Sequence, residues 1–345
     1  MAIQQAIVDV PSDLSLNVLP TPDAEVESQY VHRYVDFFGA GYLSGLRVAV
    51  YEHSSVARDL LRNVLEQLGA EVISLGRTNG FVPIDTEAVR PEDVIQARKW
   101  AQEHTFDAIF STDGDADRPL IGDEAGQWLR GDVVGILCAK FLAADVVVTP
   151  VSSNTLAEKS GWFSEVVRTR IGSPYVIAGM EQASVESTGV VVGFEANGGF
   201  LLGSDVVRNG KRLLALPTRD AILPMLAVLA MAKEQGGNIS GLVADLPARY
   251  TASDRLQSFP TEESAALLKA LQQNQLQATQ VMAPNAGNIA SVDLTDGLRV
   301  TFSDGDIVHL RPSGNAPELR CYAESDTQAK AQSLCDQCLA RISVI

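Results

Sequence analysis

Between residues 46 and 112 the chain reads strand, helix, strand, helix, strand, and this alternation restricts its fold more than any other feature. "LRVAVYE" (46–52) is a short apolar run, "SVARDLLRNVLEQLGA" (55–70) an amphipathic helix ended by Gly69, and "EVISLG" (71–76) a second strand. "PEDVIQARKWAQEH" (91–104) opens a helix on Pro91, and "FDAIFST" (106–112) is a third strand. Such alternation builds a parallel sheet covered by helices. Ligands of such sheets sit at the carboxyl ends of the strands, which is where Asp113 falls.

The pattern then restarts. Helices are expected at 131–144, 174–184 and 218–236, and strands at 145–151, 165–172 and 189–195, with a short helix in "SNTLAEKSG". The two units resemble repeats, although their sequences match weakly. The rest differs. "RYTASDRLQSFPTEES" (249–264) has the composition of a linker, a helix follows at 262–273, strands are expected at 298–302, 306–310 and 319–323, and a helix closes the chain at 327–344. The expected fold class is α/β: two successive three-layer units, 25–127 and 128–250, then a smaller α+β unit, 251–345. Residues 1–24, with three prolines and little periodicity, read as a tail or connector, and "AEVESQYVHRYVDFF" (24–38) as a helix.

A net charge of −16 over 345 residues excludes a general nucleic-acid binder, which needs a basic face. A few arginines can still focus a positive pocket for a small anion. The longest apolar run, "AILPMLAVLAMA" (221–232), is too short to span a bilayer, and the start of the chain lacks a secretory pattern. A cytoplasmic protein without membrane partners is expected. Cys335 and Cys338 form one CxxC within a helix, read as an incidental pair.

Three loops carry chemistry. "STDGDADRPLI" (111–121) places Asp113, Asp115 and Asp117 on alternate positions beside Arg118. Carboxylates this close repel unless a cation neutralises them, and their oxygens suit Mg²⁺ or Ca²⁺. A lone D-x-D is ordinarily a solvated turn; three at a strand end favour a metal. Glu124 falls at the twelfth position of an EF-hand loop, but Arg118 occupies the sixth, where glycine is needed, and a strand leads in. An aspartyl phosphatase would need a hydroxyl residue that this stretch lacks. The second loop, "GFEANGGF" (193–200), offers Glu195 and Asn197 as hydrogen-bonding groups for vicinal hydroxyls, or is an ordinary glycine turn. The third, "RPSGNAPELR" (311–320), gathers Arg311, Ser313, Gly314 and Asn315 as donors fit for a phosphate dianion, with Arg320 on the returning strand; the alternative is a Pro/Gly hairpin with surface arginines.

Taken together, cation ligands, polyol readers and a phosphate cradle describe an enzyme of sugar phosphates. Here the chain resembles the α-D-phosphohexomutases, the phosphomannomutase/phosphoglucomutase family. Asp113–Arg118 matches its D-G-D-x-D-R metal loop in full, "FEANGG" matches its G-E-x-S-G-H sugar loop in part, and Arg311, Ser313, Gly314 and Pro317 match its R-x-S-G-T-E-P phosphate loop. Asn197 replaces the usual serine, Gly199 stands where many members have histidine, and Asn315 and Ala316 replace threonine and glutamate. "RTRIGSPY" (168–175) resembles a further loop near the sugar, with Gly172 and Ser173 as candidates.

The resemblance implies roles. Asp113, Asp115 and Asp117 would hold Mg²⁺, and Arg118 would support the phosphoryl oxygens. Glu195, Asn197 and Gly198 would read the sugar of a mannose or glucose 1- or 6-phosphate. Arg311, Ser313, Gly314, Asn315 and Arg320 would anchor the phosphate that does not react. The family's first domain carries a phosphorylated serine in a T-A-S-H-N-P-like loop. No such loop occurs in these 345 residues, and Thr251-Ala252-Ser253 lacks the His-Asn-Pro. The chain is therefore expected to represent domains two to four, with 1–24 as a remnant of the first, and to be inactive as a mutase by itself; a separate first domain is an expected partner. The rival readings are a sugar-phosphate-binding module without catalysis, and a metal-dependent sugar phosphatase with water as nucleophile.

Overall fold

The computed structural model describes residues 23–314 and 316–344. The expected connector thus lies outside the described residues over 1–22, as does Asn315. The first helix, α1 (Ala24–Phe38), is capped by Asp23, whose carboxylate accepts from the Glu25 amide at 2.9 Å.

The first unit follows as β1 (Arg47–Tyr51), α2 (Arg58–Gln67), β2 (Glu71–Leu75), α3 (Pro91–Glu103), β3 (Ala108–Thr112) and β4 (Pro119–Gly122). Its sheet has the order β2-β1-β3-β4, parallel except for β4, which returns antiparallel to β3 with Thr112 opposite Pro119. The all-parallel sheet expected from the alternation is therefore mixed. The six residues of the aspartate loop form a hairpin, and only the strand that enters it carries a helix-to-strand signal.

The second unit repeats the plan: α4 (Gly131–Phe141), β5 (Val146–Pro150), α5 (Leu156–Lys159), β6 (Glu165–Thr169), α6 (Ser173–Glu186), β7 (Val191–Phe194) and β8 (Phe200–Leu202). Its order is β6-β5-β7-β8, again with only the last strand antiparallel. A hairpin, β9 (Val206–Arg208) and β10 (Lys211–Leu213), turns at Asn209 and Gly210, both at positive φ. Asn-Gly suits such a turn because both residues tolerate positive φ.

Next come α7 (Ile222–Glu234) and α8 (Ile239–Ala244). Helix α7 is apolar all round and buried from Ile222 to Ala232. Pro224 is its third residue, where the missing N–H has no intrahelical partner to lose. Helix α7 packs on α4, itself almost wholly buried, and one continuous core joins Val48, Phe110 and Ile121 of the first sheet to Val147 and Phe194 of the second. The two α/β units are thus welded by buried helices.

The third unit is β11 (Tyr250–Leu256), α9 (Thr261–Gln273), α10 (Gln275–Met282), β12 (Ile289–Asp293), β13 (Leu298–Phe302), β14 (Ile307–Pro312), β15 (Leu319–Ser325) and α11 (Gln328–Ile342). Its sheet is antiparallel, β11-β15-β14-β13-β12, with a core of its own. The stretch read as a linker is β11: Tyr250–Leu256 pairs residue for residue with β15. Its polar composition is that of an edge strand. Cys335 and Cys338 face this core from α11, buried and unbridged, with the Cys335 thiol 3.6 Å from the Cys321 carbonyl oxygen. Among the described residues no helix is long and apolar enough to cross a membrane.

Candidate active site

The aspartate loop is held from below. Thr112, the last residue of β3, takes a hydrogen bond on its carbonyl from the buried His53 ring at 2.9 Å, and its hydroxyl meets Ser55 at 2.6 Å. The Asp113 amide donates to the Arg118 carbonyl at 3.2 Å, and Ala116 takes φ +65 to close the hairpin. Asp113, Asp115 and Asp117 thereby bring one ligand atom each to within 4.8 Å of one another.

The residues fit a hard divalent cation. Burial pushes the Asp113 carboxyl up to about 6, against the Arg118 amide and guanidinium that favour its charge, while Asp115 and Asp117 push it further up. Arg118 lies 3.4 Å from Asp113 and 3.3 Å from Asp117 through Nε. Asp117 Oδ1, the oxygen that faces Arg118 Nε, is buried and accepts no hydrogen bond among the described residues. A buried oxygen without a hydrogen bond, beside two further carboxylates, suits a metal ligand.

The glycine-rich loop of the second unit abuts this hairpin. Gly198, at φ +92, closes its turn by donating to the Glu195 carbonyl at 2.9 Å, and a side chain there would press on Pro119. Glu195 is buried. The Asn197 side-chain oxygen is already used by the Gly199 amide at 3.0 Å, and its carbonyl by Thr86 at 2.7 Å, so its side-chain amide is the part left for a ligand. The close approach of α4 requires Gly131, where a Cβ would lie 2.2 Å from the Gly198 nitrogen.

One residue absent from the sequence reading ties the loops together. Arg219 donates from Nη1 to Asp117 Oδ2 at 2.6 Å, from Nε to Glu195 Oε2 at 2.9 Å, and from Nη2 to Ser173 Oγ at 3.2 Å. Burial works against its charge, but the Asp117 and Glu195 carboxylates outweigh it and hold its pKa above the ordinary value. In sequence it sits in "PTRDAIL" and reads as the start of a helix; nothing local marks it.

The described phosphate-loop candidates sit on the third unit, and one of them, Arg311, is linked to the second unit through Asp296. This carboxylate is 2.9 Å from Arg311 Nε and accepts from the Ile171 amide at 3.0 Å, beside Gly172, the N-cap of α6. Arg320 stands directly opposite Arg311 across the β14–β15 ladder and also lines a cleft of about 400 Å³ between the 83–90 loop and β11. Ser313 is buried and its amide donates to the Glu318 carbonyl at 2.8 Å; the position a Gly314 side chain would take is open. Glu124, the EF-hand's twelfth position, is engaged elsewhere: it accepts from the Ser240 amide at 3.3 Å. Ser253 lies on β11 opposite Tyr322 and borders the 400 Å³ cleft.

Three family models match in order: "Phosphoglucomutase/phosphomannomutase, alpha/beta/alpha domain II" over 29–126, "alpha/beta/alpha domain III" over 130–250, and the "C-terminal domain" over 254–341. A phosphomannomutase of Salmonella muenchen is 50% identical over 313 residues, covering 91% of this chain and 65% of the relative. One from Sinorhizobium fredii is 45% identical over 317 residues, 92% of this chain and 66% of the relative. The chain thus spans about two thirds of the length of these relatives. Among solved structures, a phosphoglucomutase/phosphomannomutase family protein of Burkholderia thailandensis shares the fold at a TM-score of 0.70 and 19% identity, over 92% of this chain and 64% of that one. An Aspergillus fumigatus N-acetylphosphoglucosamine mutase, solved with GlcNAc-6P and magnesium, does so at 0.62 and 18%, over 95% and 67%. The chain belongs to the phosphoglucomutase/phosphomannomutase family and carries its domains II, III and IV.

Proposed function

We propose that this chain forms the cation-, sugar- and phosphate-binding part of a phosphohexomutase of phosphomannomutase type, which moves a phosphoryl group between the 1 and 6 positions of a hexose phosphate. The observation that carries the reading is the meeting of the aspartate hairpin with the Glu195 loop through Arg219, which supports reading the two loops as one site. The 50% identity to a phosphomannomutase favours mannose phosphate as the substrate.

In this reading Asp113, Asp115 and Asp117 hold Mg²⁺, which neutralises charge developing on the transferred group. Arg118, a third exposed and next to both carboxylates, donates to phosphoryl oxygens. Glu195 accepts from vicinal hydroxyls and the Asn197 amide donates to them. Arg311, Ser313, Gly314 and Asn315 hold the distal phosphate, with Arg320 adding charge. Gly172 and Ser173, at the start of α6, border the sugar. The chain contains no T-A-S-H-N-P-like loop, so it binds without supplying the phosphoserine through which the group would pass.

Phosphorus NMR of mannose 1-phosphate with the chain, Mg²⁺ and a catalytic amount of hexose 1,6-bisphosphate tests both halves. Magnesium-dependent line broadening without conversion to the 6-phosphate is expected. No binding, or release of inorganic phosphate, overturns the reading; turnover would place a nucleophile within these residues.

A further inference from the structure

Arg219 does more than fill the gap between two loops. Its stem runs over Gly199, where a Cβ would lie 2.9 Å from Arg219 Cδ and 3.2 Å from Cγ. A side chain at 199 would therefore displace the stem from the path by which the guanidinium reaches both carboxylates. Its backbone is pinned by its neighbour: the Asp220 amide donates to the Phe200 carbonyl at 2.9 Å, and the Asp220 carboxylate accepts from Tyr30 at 2.7 Å and from the buried Tyr34. A flexible side chain on a fixed backbone, three of its N–H groups committed to three segments, is a built junction.

The two carboxylates it holds belong to the two loops, Asp117 to the aspartate hairpin and Glu195 to the glycine-rich loop. Asp117 gives Oδ2 to Arg219, while its Oδ1 accepts no hydrogen bond and has only the Arg118 guanidinium beside it, at 3.3 Å. Glu195 gives Oε2 to Arg219, leaving Oε1. Asp117 bound to a cation would need less of the charge that Arg219 now supplies there. The guanidinium, released in part from Asp117, would then have more of its charge for the oxygens of a ligand beside Glu195.

We propose that Arg219 is a positioning residue that couples cation binding at the aspartate hairpin to hexose-phosphate binding at the Glu195 loop, a role that rests on the site reading above. Coupling between two sites is reciprocal, so each ligand strengthens the other by the same factor. Direct contact between the cation and the ligand's phosphate would also couple them, but that contribution survives the loss of Arg219.

Calorimetric titration of mannose 1-phosphate, with and without saturating Mg²⁺, measures the factor, and titration of Mg²⁺ with and without mannose 1-phosphate must return the same value. The wild-type factor is expected to be on the order of tenfold. It should fall to about twofold or less in Arg219→Lys, which keeps the charge but not the fork, and in Arg219→Ala. Gly199→Ala keeps the guanidinium and crowds its stem, and should reduce the factor without reducing helix content by circular dichroism. Wild-type binding of both ligands with an undiminished factor in folded Arg219→Lys and Gly199→Ala overturns this inference alone. Failure of the wild type to bind either ligand overturns the site reading and this inference with it.

Discussion

Asp115 is the exposed member of the aspartate trio, whereas Asp113 is buried. Among the described residues its carboxylate makes no hydrogen bond that holds the hairpin, so Asp115→Asn should leave the fold intact and remove one charge from the proposed ligand set. Mg²⁺ affinity is expected to fall on the order of tenfold, measured by calorimetry with thermal melting unchanged. Arg311 presents the opposite situation, because its charge is already spent in part on Asp296 at 2.9 Å. Arg311→Ala should weaken binding of mannose 1-phosphate by about tenfold to a hundredfold, the worth of a charge-assisted hydrogen bond. Asp296→Asn keeps an acceptor for the Ile171 amide but withdraws the competing charge, and should strengthen that binding. Equal affinities in the three proteins would move the phosphate site away from Arg311.

At the scale of the element, β14 carries both Arg311 and, two residues earlier on the same face, the buried His309. Its Nε2 is 2.5 Å from the Asp296 carbonyl, its ring stacks on Tyr322 at 5.4 Å, and Nδ1 has no partner among the described residues. Burial pushes this histidine down to about 4; the Asp296 carbonyl and charge oppose the shift, and Arg299 and Arg311 add to it. The unfolded chain therefore binds a proton that the folded one refuses between pH 6.5 and about 4. Stability from this group is complete above pH 6.5 and is lost as pH falls through that window, by about 3 kcal/mol in all. Urea midpoints of His309→Gln should change less over this range than those of the wild type. The long periodic elements, α1 and α11 among them, were legible because an apolar stripe or run is a local property. Strands β4, β8 and β12 and helices α8 and α10 were not, being short and specified by what they pair with or pack on. Strand β11 was misread because an edge strand exposes polar side chains and so has a linker's composition.

Across the whole molecule, the third unit docks through a buried ion pair. Glu324 accepts from Arg249 at 2.5 Å and from the Thr155 amide at 3.2 Å, so β15 is tied to the second unit. Glu324→Gln leaves Arg249 buried without its counter-charge, a loss of about 3–5 kcal/mol when one partner of such a pair is removed. Calorimetry should then resolve an early transition of the third unit, and proteolysis near residues 245–250 should accelerate. The sequence by itself determined the order and class of the three units, and it named the aspartates, Glu195 and Arg311 as chemical groups. Runs of apolar residues and compact motifs carry that information within a few positions. Only the tertiary structure decided that the aspartates meet Glu195 and that Arg311 is tied to the start of α6. Arg219 meets Asp117 across 102 residues and Glu195 across 24, and Asp296 joins Arg311 to the Ile171 amide across 125. Such contacts arise from how two sheets share a layer of buried helices and how a third unit leans on them. No local pattern encodes that packing, because its energy is spread over the whole core.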